Sequence, residues 1–405
     1  MPSVPPHDGW RWTRLTDLAR LESGHTPSRR HPEWWGGDIP WLTLQDARDN
    51  HGGRIRETRV HTNHLGIDNS SARVLPAGTV CLSRTASVGY VVVMDRPMAT
   101  SQDFVNWVCS EDLDPDFLKY LLVAEGDGLL RFASGAVHQT IYLPEAKAFY
   151  VHHPPLHDQK RLVGILGEAF EGLAAARENA EKNLRNARAL YEGHVRSVFS
   201  PREGWVTQRL GDMCDVITKG TTPTSVGFAF VPHGVRFLKV ESISEDGDFL
   251  EDKFAKITPE CHDALRRSQL ERGDILFSIA GALGRTALVT PDIPPANTNQ
   301  ALAIIRLRAP YCASRHFILK TLSTDAVFDQ IEDFRGGVAQ QNLSLAQLKR
   351  LVISLPPLAE QQRIVASLKS LSLETRRLKR VYERKLAALD ELKKSLLHQA
   401  FSGDL

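Results

Sequence analysis

Short apolar runs bounded by glycine alternate with long stretches of helix-forming residues, and the alternation happens twice along the 405 residues. Gly78-Thr79-Val80-Cys81-Leu82-Ser83 and Gly89-Tyr90-Val91-Val92-Val93-Met94 read as strands joined by tight turns. Gly273-Asp274-Ile275-Leu276-Phe277-Ser278 answers the first run, and residues 301–307 answer the second more loosely. Helical stretches are expected near 114–124 and 314–333. The pattern predicts an α+β fold: compact units, each with a mixed, mostly antiparallel curved sheet plus helices.

The stretches 158–199 and 360–401 are different, free of proline and dominated by good helix formers. In the second, Ile364, Leu371, Leu378 and Leu392 fall seven or fourteen apart. Leu368, Tyr382, Leu389 and Leu396 fill the alternate position, with Thr375 and Lys385 as breaks. This is a heptad seam. The first stretch is weaker, with Leu162, Leu166, Leu173 and Leu190 on one row and Phe170, Leu184, Tyr191 and Val198 beside it. At 1.5 Å per residue each rod reaches roughly 60 Å. So narrow a stripe suits a second helix better than a sheet; packing of each rod on its own domain is the alternative.

The two halves also repeat in detail. Gly9-Trp10, Arg14-Leu15, Asp17 and Gly24-His25-Thr26-Pro27 return as Gly204-Trp205, Arg209-Leu210, Asp212 and Gly220-Thr221-Thr222-Pro223. Pro154-Pro155-Leu156-His157-Asp158-Gln159-Lys160-Arg161 returns as Pro356-Pro357-Leu358-Ala359-Glu360-Gln361-Gln362-Arg363. The offset grows from 195 to 202, so the second copy is longer by only seven residues. A duplication predicts two similar units with two similar sites. The expected boundaries are 1–154 and 201–355 for the globular parts, 155–200 and 356–405 for the helices.

Hydrophobic content of 42% with 24% charged residues is ordinary for a globular protein. No apolar run approaches the ~20 residues of a membrane span, and the first residues lack the pattern of a signal peptide. Five scattered cysteines without a C-x-x-C fit reduced thiols in a cytoplasmic protein. Net charge is +2, with +1 on 158–200 and +4 on 356–405, which leaves −3 for the globular parts. Any contact with nucleic acid must therefore come from local clusters.

Enzyme signatures are missing: no Walker loop, dinucleotide fingerprint, H-E-x-x-H or G-x-S-x-G, and no Asn/Asp-Pro-Pro-Tyr/Phe segment. Asp116, Glu145 and Lys147 could be assembled into a metal-dependent nuclease, but Glu145 aligns with Gln347, a poor metal ligand. The pairs His61/His64 and His152/His153 have no counterparts in the second copy. No metal site is expected.

A globular part, a Pro-Pro-Leu-x-x-Gln-x-Arg-Ile/Leu-Val segment and a long helix, repeated and closing on Phe-Ser-Gly-Asp-Leu, resembles the specificity subunit of Type I restriction–modification enzymes. The strongest pieces are residues 358–365 and the Gly-Gly-x-x-Gln-Gln-Asn segment at 336–342; the first copy departs mildly at 157–160 and 134–140. The resemblance implies two target-recognition domains separated by an antiparallel pair of helices, each reading one half of a split, asymmetric sequence in double-stranded DNA. It implies modification (methyltransferase) and restriction (translocase/nuclease) subunits as partners. S-adenosylmethionine, ATP and Mg would belong to those partners, and this chain would catalyse nothing. Leu166, Leu173, Leu190, Leu368, Leu378, Leu389 and Leu396 are the expected partner-binding positions. Half-site centres near one helical turn, ~34 Å, suit rods of this length.

Candidate DNA contacts follow from residue chemistry. Thr26, Arg29 and Arg30, and Lys219, Thr221 and Thr222, lie in glycine- and proline-rich loops, where a solvated turn is the plain alternative. Ser83, Arg84 and Ser278 end matching strands, where hydroxyls and a guanidinium could reach phosphate or a guanine edge. His138, Gln139, Gln340, Gln341 and Asn342, with Gln102, Asn299 and Gln300, supply amides and an imidazole able to read bases or cap turns. Trp34, Trp35 and Trp41 read equally well as core or as interface. A rival of another class is a coiled-coil protein-interaction scaffold without DNA specificity, and salt-dependent duplex binding separates the two.

Overall fold

The computed structural model describes residues 9–134, 139–335 and 342–402. The chain divides into two compact units, residues 1–181 with 383–405, and residues 182–382.

In the first unit, five strands pair in the order Ala19–Ser23, Phe104–Cys109, Val80–Ser83, Val91–Met94 and Arg54–Ile55. All pairs are antiparallel except the last. Val80, Leu82, Val91 and Val93 point to one face, against Phe117, Leu118 and Leu122. Cys81, Val92 and Met94 point to the other, against Leu42, Ile55 and Met98. Both faces are covered, which is why these strands are apolar at every position rather than at alternate ones. A three-stranded sheet joins His61–Thr62, Trp35–Leu42 and Ala99–Thr100, and a ribbon pairs Arg11–Arg14 with Tyr150–His153.

The second unit repeats this plan. Four antiparallel strands run Cys214–Lys219, Leu302–Leu307, Ile275–Ser278 and Thr286–Leu288. Ala255–Ile257, Val235–Leu238 and Ala296–Thr298 form the three-stranded sheet, and Val206–Arg209 pairs with Val352–Leu355. One expectation is corrected. The counterpart of Val91–Met94 is Thr286–Leu288, whereas 301–307 matches Phe104–Cys109. Arg285 and Thr286 interrupt the apolar run that would have marked the true partner. The helix expected near 114–124 is Pro115–Glu125. The one near 314–333 is split into Arg315–Thr321 and Asp325–Arg335.

The long helices span Leu156–Val198 and Leu358–Ser402. Their shared start has a physical reason. Gln159 is fully buried, donates through Nε2 to the carbonyls of Pro154 (3.0 Å) and Asp112 (3.1 Å), and accepts from Asp114 N at 2.9 Å. Gln361 makes the matching bond to Pro356 O at 2.8 Å. The glutamine of the Pro-Pro-Leu-x-x-Gln motif thus fastens each helix to the unit before it.

Both alternatives for the rods are realised in turn. Leu162 enters the core of the first unit, and Ile364 and Leu368 enter that of the second. Further along, the helices run antiparallel. In the first unit Leu166 packs with Leu397 and Ala400, and Arg177 pairs with Asp390. In the second unit His194 Nε2 lies 3.1 Å from Ser367 Oγ. Leu378 and Leu392, assigned to the seam, are 42% and 47% exposed. An α-helix of 3.6 residues per turn drifts ~20° per heptad from a 3.5 repeat, so these later positions rotate off the contact line.

Candidate nucleic-acid interface

In each unit, segments far apart in sequence are drawn together at one place. Gly24-His25-Thr26 lies on Thr100-Ser101-Gln102, with His25 N donating to Thr100 O at 3.0 Å. Gly220-Thr221-Thr222 lies on Thr298-Asn299-Gln300, with Thr221 N donating to Thr298 O at 3.2 Å. A Cβ on Gly24 would stand 2.0 Å from Ser101 O, and one on Gly220 1.9 Å from Thr298 O. Only glycine permits so close an approach. Above this crossing, the Thr26 hydroxyl donates to Gln102 Oε1 and the Thr222 hydroxyl to Gln300 Oε1.

A second shared element is the loop at 83–90, which matches 278–285. Ser83 N donates to Tyr90 O at 2.8 Å, as Ser278 N does to Arg285 O at 2.8 Å. Ser83 Oγ donates to Ser87 O at 2.6 Å and accepts from Tyr90 N at 2.8 Å. Ser278 Oγ donates to Ala282 O and accepts from Arg285 N at 2.7 Å. Both serines are fully buried. This corrects the expectation that their hydroxyls reach DNA: they are spent on shaping the loop.

The next residue ties the loop to its neighbours. Arg84 N donates to Asp103 O (2.7 Å) and Arg84 O accepts from Ile141 N (2.9 Å). Ile279 makes the same two links, to Ala301 O (2.8 Å) and from Leu343 N (2.8 Å). In the first unit alone the side chain adds a clamp, with Arg84 Nε donating to Gln102 O at 3.0 Å and a terminal nitrogen to Ile141 O at 3.4 Å. Arg84 is therefore half-buried and engaged with carbonyls rather than free for phosphate. Asn299 Oδ1 accepts from Ala301 N at 3.2 Å, the turn-capping alternative.

Other predicted residues lie on the surface around these crossings. Gln102, Gln300, Arg29, Arg30 and Lys219 are exposed, and Thr26, Thr221 and Thr222 are half-buried. The Arg29 guanidinium sits 3.7 Å from the Trp35 ring centroid, a cation–π contact that holds the charge in place. Trp34 stacks on His31 with centroids 4.2 Å apart, while Trp41 is core. A shallow groove of about 630 Å³ runs beside His25, Thr26, Ser28, Trp34 and Asn69. Gln139 and Asn342 are exposed beside Thr140 and Leu343, whereas His138, Gln340 and Gln341 lie outside the described residues. Sequence reasoning missed Arg267, an exposed cation 3.4 Å from Thr218 Oγ1 beside Lys219. Its doublet with Arg266 was the available signal.

Of the leucines assigned to partners, Leu166 and Leu368 are 1% exposed, and Leu396 packs against Leu166's cluster. They build the protein's own interior. Leu173 and Leu389 are half-buried, while Leu190 and Leu378 are exposed.

Asp116 of the nuclease triplet is engaged by other partners. Asp116 accepts from Arg54 at 2.6 Å and Lys119 at 2.7 Å. Burial works to raise its carboxyl, but these two cations outweigh that and hold it below the usual carboxylate range. Among the described residues, no three His, Cys, Asp or Glu side chains group as metal ligands. Burial lowers His153, whose Nδ1 lies 3.0 Å from Pro154 O. No helix among the described residues is long and apolar enough to cross a membrane.

Two α+β units, each gathering the same loops from matching frameworks, define a duplicated recognition fold. The chain belongs to the family described as the Type I restriction modification DNA specificity domain, whose model matches residues 7–182 and 202–384. It is 24% identical over 260 residues to the Type I restriction enzyme MjaIX specificity subunit of Methanocaldococcus jannaschii, covering 58% of this chain and 60% of the relative. It is 30% identical over 176 residues to the EcoBI specificity subunit of Escherichia coli, covering 43% of this chain and 36% of that one. The matches thus span less than two thirds of these curated relatives. A chain from a structure described as the basis of complex assembly and conformational transition of the type I R-M system superposes with a TM-score of 0.77. It has 22% identity, with all of both chains covered. The HsdS subunit from Thermoanaerobacter tengcongensis gives a TM-score of 0.61 at 22% identity, covering 99% of this chain and 98% of its own. These show a shared fold.

Proposed function

We propose that this chain is the non-catalytic DNA sequence-recognition subunit of a Type I restriction–modification complex. It reads a bipartite, asymmetric target and docks methyltransferase subunits. The carrying observation is the loop cluster built twice on one framework. The Gly-x-Thr-Pro crossing and the serine-shaped loop are shared. The surrounding side chains differ: Arg29 and Arg30 follow the crossing in one unit, while in the other Lys219 precedes it and Arg267 lies beside Thr218. A common scaffold with different readers suits two unlike half-sites.

On this reading residues 1–154 and 201–355 are the target-recognition domains, and 155–200 and 356–405 the spacer helices. Of the leucines assigned to partner subunits, Leu190 and Leu378 are the exposed ones. S-adenosylmethionine, ATP and Mg chemistry belongs to those partners, and the complex works in the cytoplasm, where genomic DNA lies. The scaffold alternative gains no observation of its own.

Mapping genomic methylation with and without the chain tests the function, giving the modified base, both half-sites and their spacing. Replacing residues 1–154 by a different recognition domain should change one half of the methylated sequence. Change in both halves, or in neither, contradicts the modular reading.

A further inference from the structure

The Thr26–Gln102 and Thr222–Gln300 pairs join residues 76 and 78 apart, outside any continuous motif. Each glutamine side chain is exposed, so its bond to the threonine adds little to stability. The backbone beneath is already fastened by the His25–Thr100 and Thr221–Thr298 bonds and by glycines in close approach. The same exposed couple nonetheless stands at the same place in both units, on loops whose other side chains have diverged.

Its effect is on the amide. Glutamine, with three rotatable side-chain bonds, gives up much rotamer freedom when immobilised. A carbonyl already held by a hydroxyl loses less of that on binding. The bond uses one lone pair of Oε1; among the described residues the second lone pair and both Nε2 hydrogens have no other partner. That leaves an acceptor beside a donor, the complement of adenine's N6–H and N7 in the major groove. Guanine offers two acceptors there, one of which would face the glutamine carbonyl without a hydrogen.

We propose that Gln102 and Gln300 each read an A·T base pair, at equivalent places in the two half-sites, and that Thr26 and Thr222 are positioning residues for the two amides. The proposal rests on the DNA-reading function above. Half-site asymmetry then comes from what surrounds each amide, with Arg29 and Arg30 near the first and Lys219 and Arg267 near the second.

The test uses the complete complex with its modification subunits and duplexes carrying every single base-pair change in the mapped target. The expected result for Gln102→Ala is a roughly tenfold to hundredfold slower methylation of the intact target. Discrimination should vanish at one A·T pair of one half-site and stay unchanged in the other; Gln300→Ala should do the converse. Gln102→Glu, which exchanges the donor for an acceptor, should lose the same discrimination. Thr26→Val should weaken selectivity at the same base pair, add nothing to Gln102→Ala, and be rescued by Thr26→Ser. An equal loss on all duplexes would make the glutamine a phosphate contact and overturn the proposal, as would an unchanged profile. A wild-type complex with no sequence preference would overturn the underlying function, and this proposal with it.

Discussion

Ala86 and Gly281 hold the same place in the two copies of one loop, and both have left-handed backbone, with φ of +61° and +74°. Glycine takes this conformation without strain, whereas alanine pays ~1–2 kcal/mol for the approach of Cβ to the carbonyl. Glycine's greater unfolded-state freedom returns part of that, about 0.4–1 kcal/mol. Ala86→Gly should therefore stabilise the protein by up to ~1 kcal/mol, and Gly281→Ala should destabilise it by a similar amount. Nothing lies within 4 Å of a Cβ built on Gly281, so the second effect is backbone strain rather than a clash. Denaturant unfolding of both variants checks the opposite signs.

Lys119, 5% exposed at its side chain, keeps Asp116 at 2.7 Å, and Asp116 also receives Arg54. Removing the shared carboxylate strands a buried ammonium, so Asp116→Ala should cost about 3 kcal/mol. The pH dependence has a definite sign. The folded carboxyl is held below its ordinary value, so its contribution is complete above the ordinary carboxylate range and is lost as pH falls through the lowered one. Wild type and Asp116→Ala should differ most at neutral pH and converge in acid. Unfolding curves at several pH values measure this, and a gap that widens in acid would contradict it.

The helices, the repeat and most strands were legible because periodicity and glycine punctuation are local signals. The sites were less legible, for reasons visible in particular residues. Ser83 and Arg84 looked like surface readers because they end a strand, yet the chain turns back and consumes both on its own carbonyls. Leu378 fitted a heptad, but helical drift carried it into solvent. Thr26 and Gln102 each carry chemistry legible in the sequence, while their pairing depends on a tertiary crossing that spacing does not encode. Gln159 stands in a repeated motif, but its purpose lies in the contacts of its amide with Pro154, Asp112 and Asp114, which the motif's spacing does not encode.

Gly24 and Gly220 let the two Gly-x-Thr-Pro segments touch the turns below them. Gly24→Ala would bring Cβ against Ser101 O and Thr100 Oγ1, at 2.0 and 2.2 Å, so the segment must lift off. The result should be a loss of discrimination across one half-site, with the other half-site intact. Gly220→Ala should damage the opposite half, because its Cβ would meet Thr298 O at 1.9 Å. Methylation profiles over substituted duplexes distinguish this from global unfolding, which would remove both halves together.

Arg29 separates affinity from reading. Its guanidinium is parked over Trp35 at 3.7 Å and within 5.2 Å of Trp41, a position fixed by stacking rather than by hydrogen bonds to a base-reading partner. On the proposed DNA-reading function we assign this guanidinium to phosphate, and a phosphate contact carries no sequence information. Arg29→Ala should weaken binding of every duplex by about the same factor and reduce the salt slope by about one. Arg29→Lys should recover only part of the affinity, because an ammonium on a flexible stem lacks the planar stacking face. Duplex binding by the assembled complex over a salt series gives both quantities. Loss of discrimination at a single base pair would instead make Arg29 a base reader and move the boundary between positioning and reading within this loop.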